Sequence, residues 1–335
     1  MIRATLHTKA SADMDILSSM RRRIDALDLD LQGMTVLTEA ATGAYACTAP
    51  IAAMAGARVV SIARNTRSHG TAANAIRATR HLAAAAGVAD RIIFRRELPS
   101  EFLSTCDILT NSGHLRPITA SIIDQLPKTA VIALMFEAWE FRHRDLDLAA
   151  CRRRGIRIAA VNERHPDVGV FPFLGPLCVR LVAQGGVNPR GARIALLCDN
   201  PFASFIQDGL QQAGALVECF QNARSITSRP WAAVVVALDP TKSPMLDRVD
   251  LLMLRAAAPD ALLAQFWGDI DRAAAADFWP GTLCPQAAPA PGHMAILLSA
   301  LGHEPIVRLQ AGGLKAAELV ARDSLMGHGS VAELV

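Results

Sequence analysis

The sequence predicts an α/β protein made of two doubly wound parallel sheets with a ligand cleft between them. Short runs rich in Val, Ile and Leu alternate with Ala-rich, helix-prone segments, the pattern of parallel strands that must each be joined to the next by a crossover. The alternation restarts after the turn GGVNP at 185–189. A chain of 335 residues is long enough for two cores of ordinary size.

Residues 1–33 read as a helical lead-in, because Met14, Ile16, Leu17, Met20, Ile24 and Leu27 fall on one helical face. Too short to fold alone, this segment is expected to pack on one of the larger units. Residues 34–185 form the first unit. Its opening stretch, 35–66, reads in one pass as strand, turn at Thr42-Gly43, helix over 44–54 stopped by Gly56, and a buried strand at 59–62. A helix at 71–86 ends at Gly87, and strands follow at 91–94, 108–110, 130–135 and 156–161, with a helix at 174–184. Residues 190–310 form the second unit, with strands at 193–198, 216–220, 232–238 and 251–254 and helices at 202–213 and 259–266. The Pro-rich 284–291 reads as a loop, 296–301 as helical and 306–309 as strand-like. Residues 311–335 carry a closing helix at 314–321, which is expected to cross back to the first unit.

Composition narrows the function. The chain is 51% hydrophobic and 19% charged with a net charge of +3, which gives no reason to expect nucleic acid. No leader-like segment opens it and no long apolar run suggests a membrane span. Seven cysteines, an odd number without paired spacing, point to reduced thiols in a cytoplasm, not to disulfides or zinc. No HxH or HExxH spacing supports a metal site. Ala-rich helices and the high apolar fraction suit a homodimer.

The strand–turn–helix at 35–54 has the form of a phosphate-binding turn, in which a helix start offers free N–H groups to a pyrophosphate. The usual three-glycine fingerprint is reduced to Gly43, and Thr42, Gly43, Ala44 and Tyr45 are the candidate contacts. At the end of the next strand, where an NAD site places a carboxylate for the ribose, stand Arg64, Asn65, Thr66, Arg67 and Ser68. Arginines there would hold a 2′-phosphate through their forked donors, so NADP(H) is the expected cofactor, with NAD or S-adenosylmethionine less favoured.

Ligands of open α/β sheets lie at the carboxyl ends of the strands. Four of those ends are polar: Thr110 to Pro117, Met135 to His143, Asn162 to Asp167, and Asp199 to Ser204. The segment 106–148, CDILTNSGHLRPITASIIDQLPKTAVIALMFEAWEFRHRDLDL, resembles the later half of the dinucleotide domain shared by S-adenosylhomocysteine hydrolase, the D-2-hydroxyacid dehydrogenases and alanine dehydrogenase. The resemblance extends over residues 34–165 and implies a Rossmann-type nucleotide site, with Thr110, Asn111, Ser112 and Gly113 in the turn under the nicotinamide ribose. The chain departs from that pattern at Phe136-Glu137-Ala138-Trp139-Glu140, and it places its nucleotide-like unit first, whereas in the hydroxyacid dehydrogenases a substrate domain precedes the cofactor domain.

Hydride chemistry at a carbonyl needs a group of near-neutral pKa to exchange the alcohol proton and a cation to hold a substrate carboxylate. His165 or His114 suits the first role and Arg116 or Arg142 the second, with Glu137 orienting the histidine. Glu140, Arg142, Glu163, Arg164, Asp199 and His293 are the further candidates for binding a small substrate. The leading expectation is thus an NADP-preferring oxidoreductase acting on a small anionic metabolite. Two alternatives stand beside it: a hydrolase, lyase or S-adenosylmethionine-dependent transferase using the same nucleotide cleft, and a non-catalytic binding protein.

Overall fold

A computed structural model describes residues 2–67, 70–242, 245–324 and 330–335, with side chains from Met14 onward. The chain divides into two compact units, residues 1–170 with 302–335, and residues 171–301. In chain order the strands of the first unit are β1 (Thr35–Glu39), β2 (Arg58–Ile62), β3 (Ile92–Arg95), β4 (Ile108–Thr110), β5 (Val131–Ala133) and β6 (Arg157–Val161). The second unit contributes β7 (Arg193–Leu197), β8 (Leu216–Phe220), β9 (Ala233–Ala237), β10 (Leu262–Trp267) and β11 (Leu283–Cys284), and β12 (Ala332–Leu334) returns to the first.

The first unit is a seven-stranded sheet in the order β12-β6-β5-β4-β1-β2-β3, parallel except for β12, which runs antiparallel to β6. Strand order therefore reverses between β1 and β4, the doubly wound pattern expected from the sequence. Val36, Leu37, Ile108, Leu109, Val131 and Ile132 are fully buried, as strands covered on both faces must be.

The crossover after β1 differs from the continuous helix expected over 44–54. Gly43, at φ +62°, opens a 3-10 turn over Gly43–Cys47, and the α-helix runs only over Thr48–Met54. Pro50 explains the division: it lacks the N–H that would bond to the carbonyl four residues back, so the first turn tightens.

The helix Glu304–Ala321 is one continuous element, and the strand expected at 306–309 is its first turns. Pro305 sits in the first turn, where its missing N–H costs nothing, and burial on nearly every side outweighs the strand preference of Ile306 and Val307. A Cβ on Gly313 would lie 2.8 Å from Met135 Sδ and 3.1 Å from Met135 Cα, and one on Gly312 3.0 Å from Val161 and Val168. The two glycines let this helix lie close against the loops that follow β5 and β6. Thr48 Oγ1 donates to Gln310 Oε1 at 2.8 Å, and Lys315 is buried with Glu318 at 2.9 Å while donating to the Asp28 carbonyl at 2.7 Å. The closing helix and the lead-in helix Ile2–Ala26 thus both pack on the first unit.

The second unit is a five-stranded parallel sheet, β11-β10-β9-β7-β8, with its own reversal between β7 and β9. The helix Leu174–Gln184, which the sequence places at the end of the first unit, belongs here. It meets the helix Phe202–Gln212 so closely that a Cβ on Gly209 would sit 2.3 Å from Gly175 Cα. The elements expected at 251–254 and 259–266 exchange identities: Arg248–Ala257 is helix and β10 is strand. Asp247 accepts from Val249 N and Asp250 N while Asp250 accepts from Asp247 N, a reciprocal cap that starts the helix. β10 is buried at every position, and periodicity alone does not separate such a strand from a buried helix.

Candidate nucleotide and acid–base site

The reversal between β1 and β4 brings together the carboxyl ends at which an open sheet binds its ligand. Thr42 and Gly43 are exposed there at the head of the 3-10 turn. A Cβ on Gly43 would meet nothing within 4 Å, so it is the backbone angle that calls for glycine.

Glu39, at the end of β1, is a site residue that sequence reasoning missed. Its Oε2 accepts from His114 N at 2.9 Å, and the Nδ1 of buried His114 accepts from Arg64 N at 3.0 Å. Since Nδ1 accepts, the neutral His114 ring carries its proton on Nε2. Glu39 and His114 thereby lace the ends of β1, β2 and β4. The one signal of Glu39 in the sequence is position, as a carboxylate closing an apolar strand just before the turn.

Beneath these ends runs a row of hydroxyls. Thr38 stands opposite Ser61 in the β1–β2 register. Thr110 Oγ1 donates to Thr38 Oγ1 at 2.9 Å and so accepts from Ser112 Oγ at 2.7 Å. All four side chains are buried. Thr110 and Ser112 are therefore partnered inside the sheet, below the surface on which a ribose would rest.

The loop after β4 is braced by Asn111 and Arg116. Arg116 Nε donates to Asn111 Oδ1 at 3.0 Å and to its carbonyl at 2.9 Å, its Nη1 lies 3.4 Å from Asp145, and its guanidinium stacks 5.4 Å from the centre of the Phe136 ring. This guanidinium is engaged within the protein; Arg142, half-buried, acts on both Arg116 and Glu140 and is the second cation of the group.

A cluster of carboxyls lies at the ends of β5 and β6. Glu137, 2% exposed, accepts from Glu163 N at 3.0 Å and from the Trp139 indole, with Arg164 Nε at 3.8 Å. Glu137 therefore orients no histidine. Glu140 and Glu163 lie beside Glu137 and act on one another's carboxyls. Burial, then the charge of Glu137, pushes Glu140 up to about 7; burial, then Glu140, pushes Glu163 well above the usual carboxylate range. Tyr45, from the turn after β1, is pushed up to about 12 by burial and then by neighbours that include Glu39, Glu163 and Glu140, which sets it beside the cluster.

Other predicted residues lie apart from this group. His165 Nδ1 accepts from Asp167 N at 3.3 Å and lies 3.7 Å from its carboxylate, so it serves its own turn. Arg64 and Arg67 are exposed after β2, Asn65 Oδ1 accepts from Ala72 N, and Thr66 bridges to Gly70; Ser68 lies outside the described residues. In the second unit, Asp199 stands at the reversal, where its Oδ1 accepts from Asp239 N at 2.8 Å. His293 Nδ1 is 3.0 Å from the Pro291 carbonyl. All seven cysteines are free, six of them buried. Among the described residues no group of His, Cys, Asp and Glu is arranged to hold a metal, and no helix is long and apolar enough to cross a membrane.

No protein-family model and no curated protein matches the chain. Solved structures match along nearly its whole length. Dipicolinate synthase from Bacillus halodurans superposes with a TM-score of 0.53 and 11% identity over 89% of this chain and 100% of that one. Dipicolinate synthase from Bacillus subtilis gives 0.53 and 12% over 88% and 98%. The pyruvate reductase of Chlamydomonas reinhardtii gives 0.50 and 12% over 90% and 100%. At such identities the likeness is one of fold: two doubly wound α/β units.

Proposed function

We propose that the protein is an NADP-preferring oxidoreductase acting on a small, anionic metabolite, with the nucleotide at the carboxyl ends of β1, β2 and β4. The observation that carries this reading is the strand reversal with exposed Arg64 and Arg67 at the end of β2. A 2′-phosphorylated ribose fits there, because guanidinium groups offer forked donors to a phosphate and no carboxylate of that loop repels it. The pyrophosphate end fits less closely, with one glycine in the turn and the Glu39 carboxylate beside it. A bound nicotinamide would supply or accept the hydride. The proton held by Glu140 beside Glu163 supplies the acid–base step, a role assigned from the sequence to His165 or His114, and Arg142 holds the substrate anion. Replacing Arg64 and Arg67 by Ala is expected to weaken NADPH about tenfold or more and NADH much less. Equal losses for both would overturn the 2′-phosphate assignment.

A second reading places the nucleotide in the second unit. That sheet has its own reversal, at Asp199 and Asp239, and in the hydroxyacid dehydrogenases that residues 34–165 resemble a substrate unit comes first. The same titration on Asp199→Ala decides between them. A loss of nucleotide there, with Arg64 and Arg67 silent, moves the cofactor to the second unit.

A further inference from the structure

The first unit carries a second concentration of positive charge, away from the β1–β4 reversal. The helix Ala72–Ala85 and the end of β3 enclose an open pocket of about 550 Å³, lined by Arg77, Arg80, His81 and Arg96 around the apolar side chains of Ile76 and Ala84. Arg77, Arg80, His81 and Ala84 fall on one helical stripe, since residues three and four apart share a face, and Arg96 reaches the same space from the residue after β3. No acidic side chain lines the pocket.

Ordinary surface arginines lie beside carboxylates or spread apart. Here, among the described residues, Arg77, Arg80 and Arg96 have no carboxylate within ion-pair distance. Two of the three are also held in place. The Arg80 guanidinium lies 4.9 Å from the centre of the Phe94 ring, and Arg77 Nη2 donates to Asn74 Oδ1 at 2.5 Å. Both contacts leave the remaining guanidinium N–H groups available. Like charges so gathered repel one another, and a multivalent anion relieves the repulsion while taking several charge-assisted hydrogen bonds. The volume falls within the range of small-molecule pockets, and the mixture of cations with an apolar floor suits phosphates carried on an organic body.

We infer that this pocket is a binding site for an oligophosphate ligand, of the nucleoside di- or triphosphate class, separate from the cofactor site. The separation follows from topology. β3 is the edge strand beside β2, and the pocket opens along the helix Ala72–Ala85 and Arg96, with neither Arg64 nor Arg67 in its lining. The inference does not depend on the redox reading.

The test is calorimetric titration of the whole protein with ATP, with tripolyphosphate and with adenosine. ATP and tripolyphosphate bind and adenosine does not. Arg80→Ala with Arg96→Ala weakens both anions by about tenfold or more with an unchanged melting temperature, because all the altered groups are exposed. Arg64→Ala with Arg67→Ala leaves tripolyphosphate binding within about twofold. Tighter binding of ATP than of tripolyphosphate identifies a nucleotide ligand; equal affinity identifies the phosphate chain itself. The inference is overturned if neither anion binds, if the Arg80/Arg96 variant binds as wild type does, if the loss appears in the Arg64/Arg67 variant instead, or if an oligonucleotide is strongly preferred to ATP.

Discussion

Substituting Glu140 by Gln tests the protonated carboxyl at the β5 and β6 ends most directly. In the folded protein the Glu140 carboxyl is pushed from its ordinary 4.5 up to about 7, first by burial and then by Glu137. The folded state therefore holds more protons than the unfolded state between those values. Stability falls as pH rises through that window and stays low above it. Fully expressed, the gap amounts to about 3 kcal/mol at about 1.4 kcal/mol per unit. Partial solvent access at Glu140 and its electrostatic interaction with Glu163 reduce this to about 1–2 kcal/mol. Glutamine keeps the shape and can donate its amide hydrogen to Glu163, but it cannot ionise. Glu140→Gln is thus expected to melt close to wild type near about pH 5 and about 3–6 °C above it near about pH 8, at about 2–4 °C per kcal/mol. Differential scanning calorimetry across that range measures the difference. A wild-type-to-variant gap that is constant with pH would refute the protonated carboxyl, and with it the acid–base role proposed for the pair.

Two further substitutions probe the second unit. Gly209→Ala places a methyl carbon 2.3 Å from Gly175 Cα, so two helix backbones must part. Even after alanine's better helix propensity is counted, a loss of about 1–3 kcal/mol in urea unfolding is expected, and an unchanged or raised midpoint would show that the helices do not meet there. Asp247→Ala removes the reciprocal cap of Arg248–Ala257 and is expected to cost about 1 kcal/mol, read as faster amide exchange in the first turn of that helix; unaltered exchange would argue against the cap.

Local chemistry made much of the molecule legible. Short runs of apolar residues marked β1 to β9, most plainly at the central strands β4, β5 and β9, which are buried at every position. Elements were misread where burial overrode propensity. β10 is buried at every position and Glu304–Ala321 at most of its positions, and their identities depend on what surrounds them. The polar strand ends drew out Glu137, Glu140 and Glu163 as candidates, but sequence spacing did not show that their carboxyls converge while His165 turns to Asp167.

The sequence by itself determined the class of fold, since the alternation of buried strands and crossover helices leaves little else for the chain to form. It also determined the chemical character of the strand ends. Tertiary structure alone decided the order of the strands, and therefore that Glu39 and His114 meet across β1 and β4. It decided too that the last helix completes the first unit, where Gly312 and Gly313 let it lie against Val161, Val168 and Met135. The physical reason is the same in each case. Periodicity and propensity act over a few residues, whereas a hydrogen bond between residues 39 and 114, or a glycine contact between 313 and 135, exists only once distant segments have been packed together.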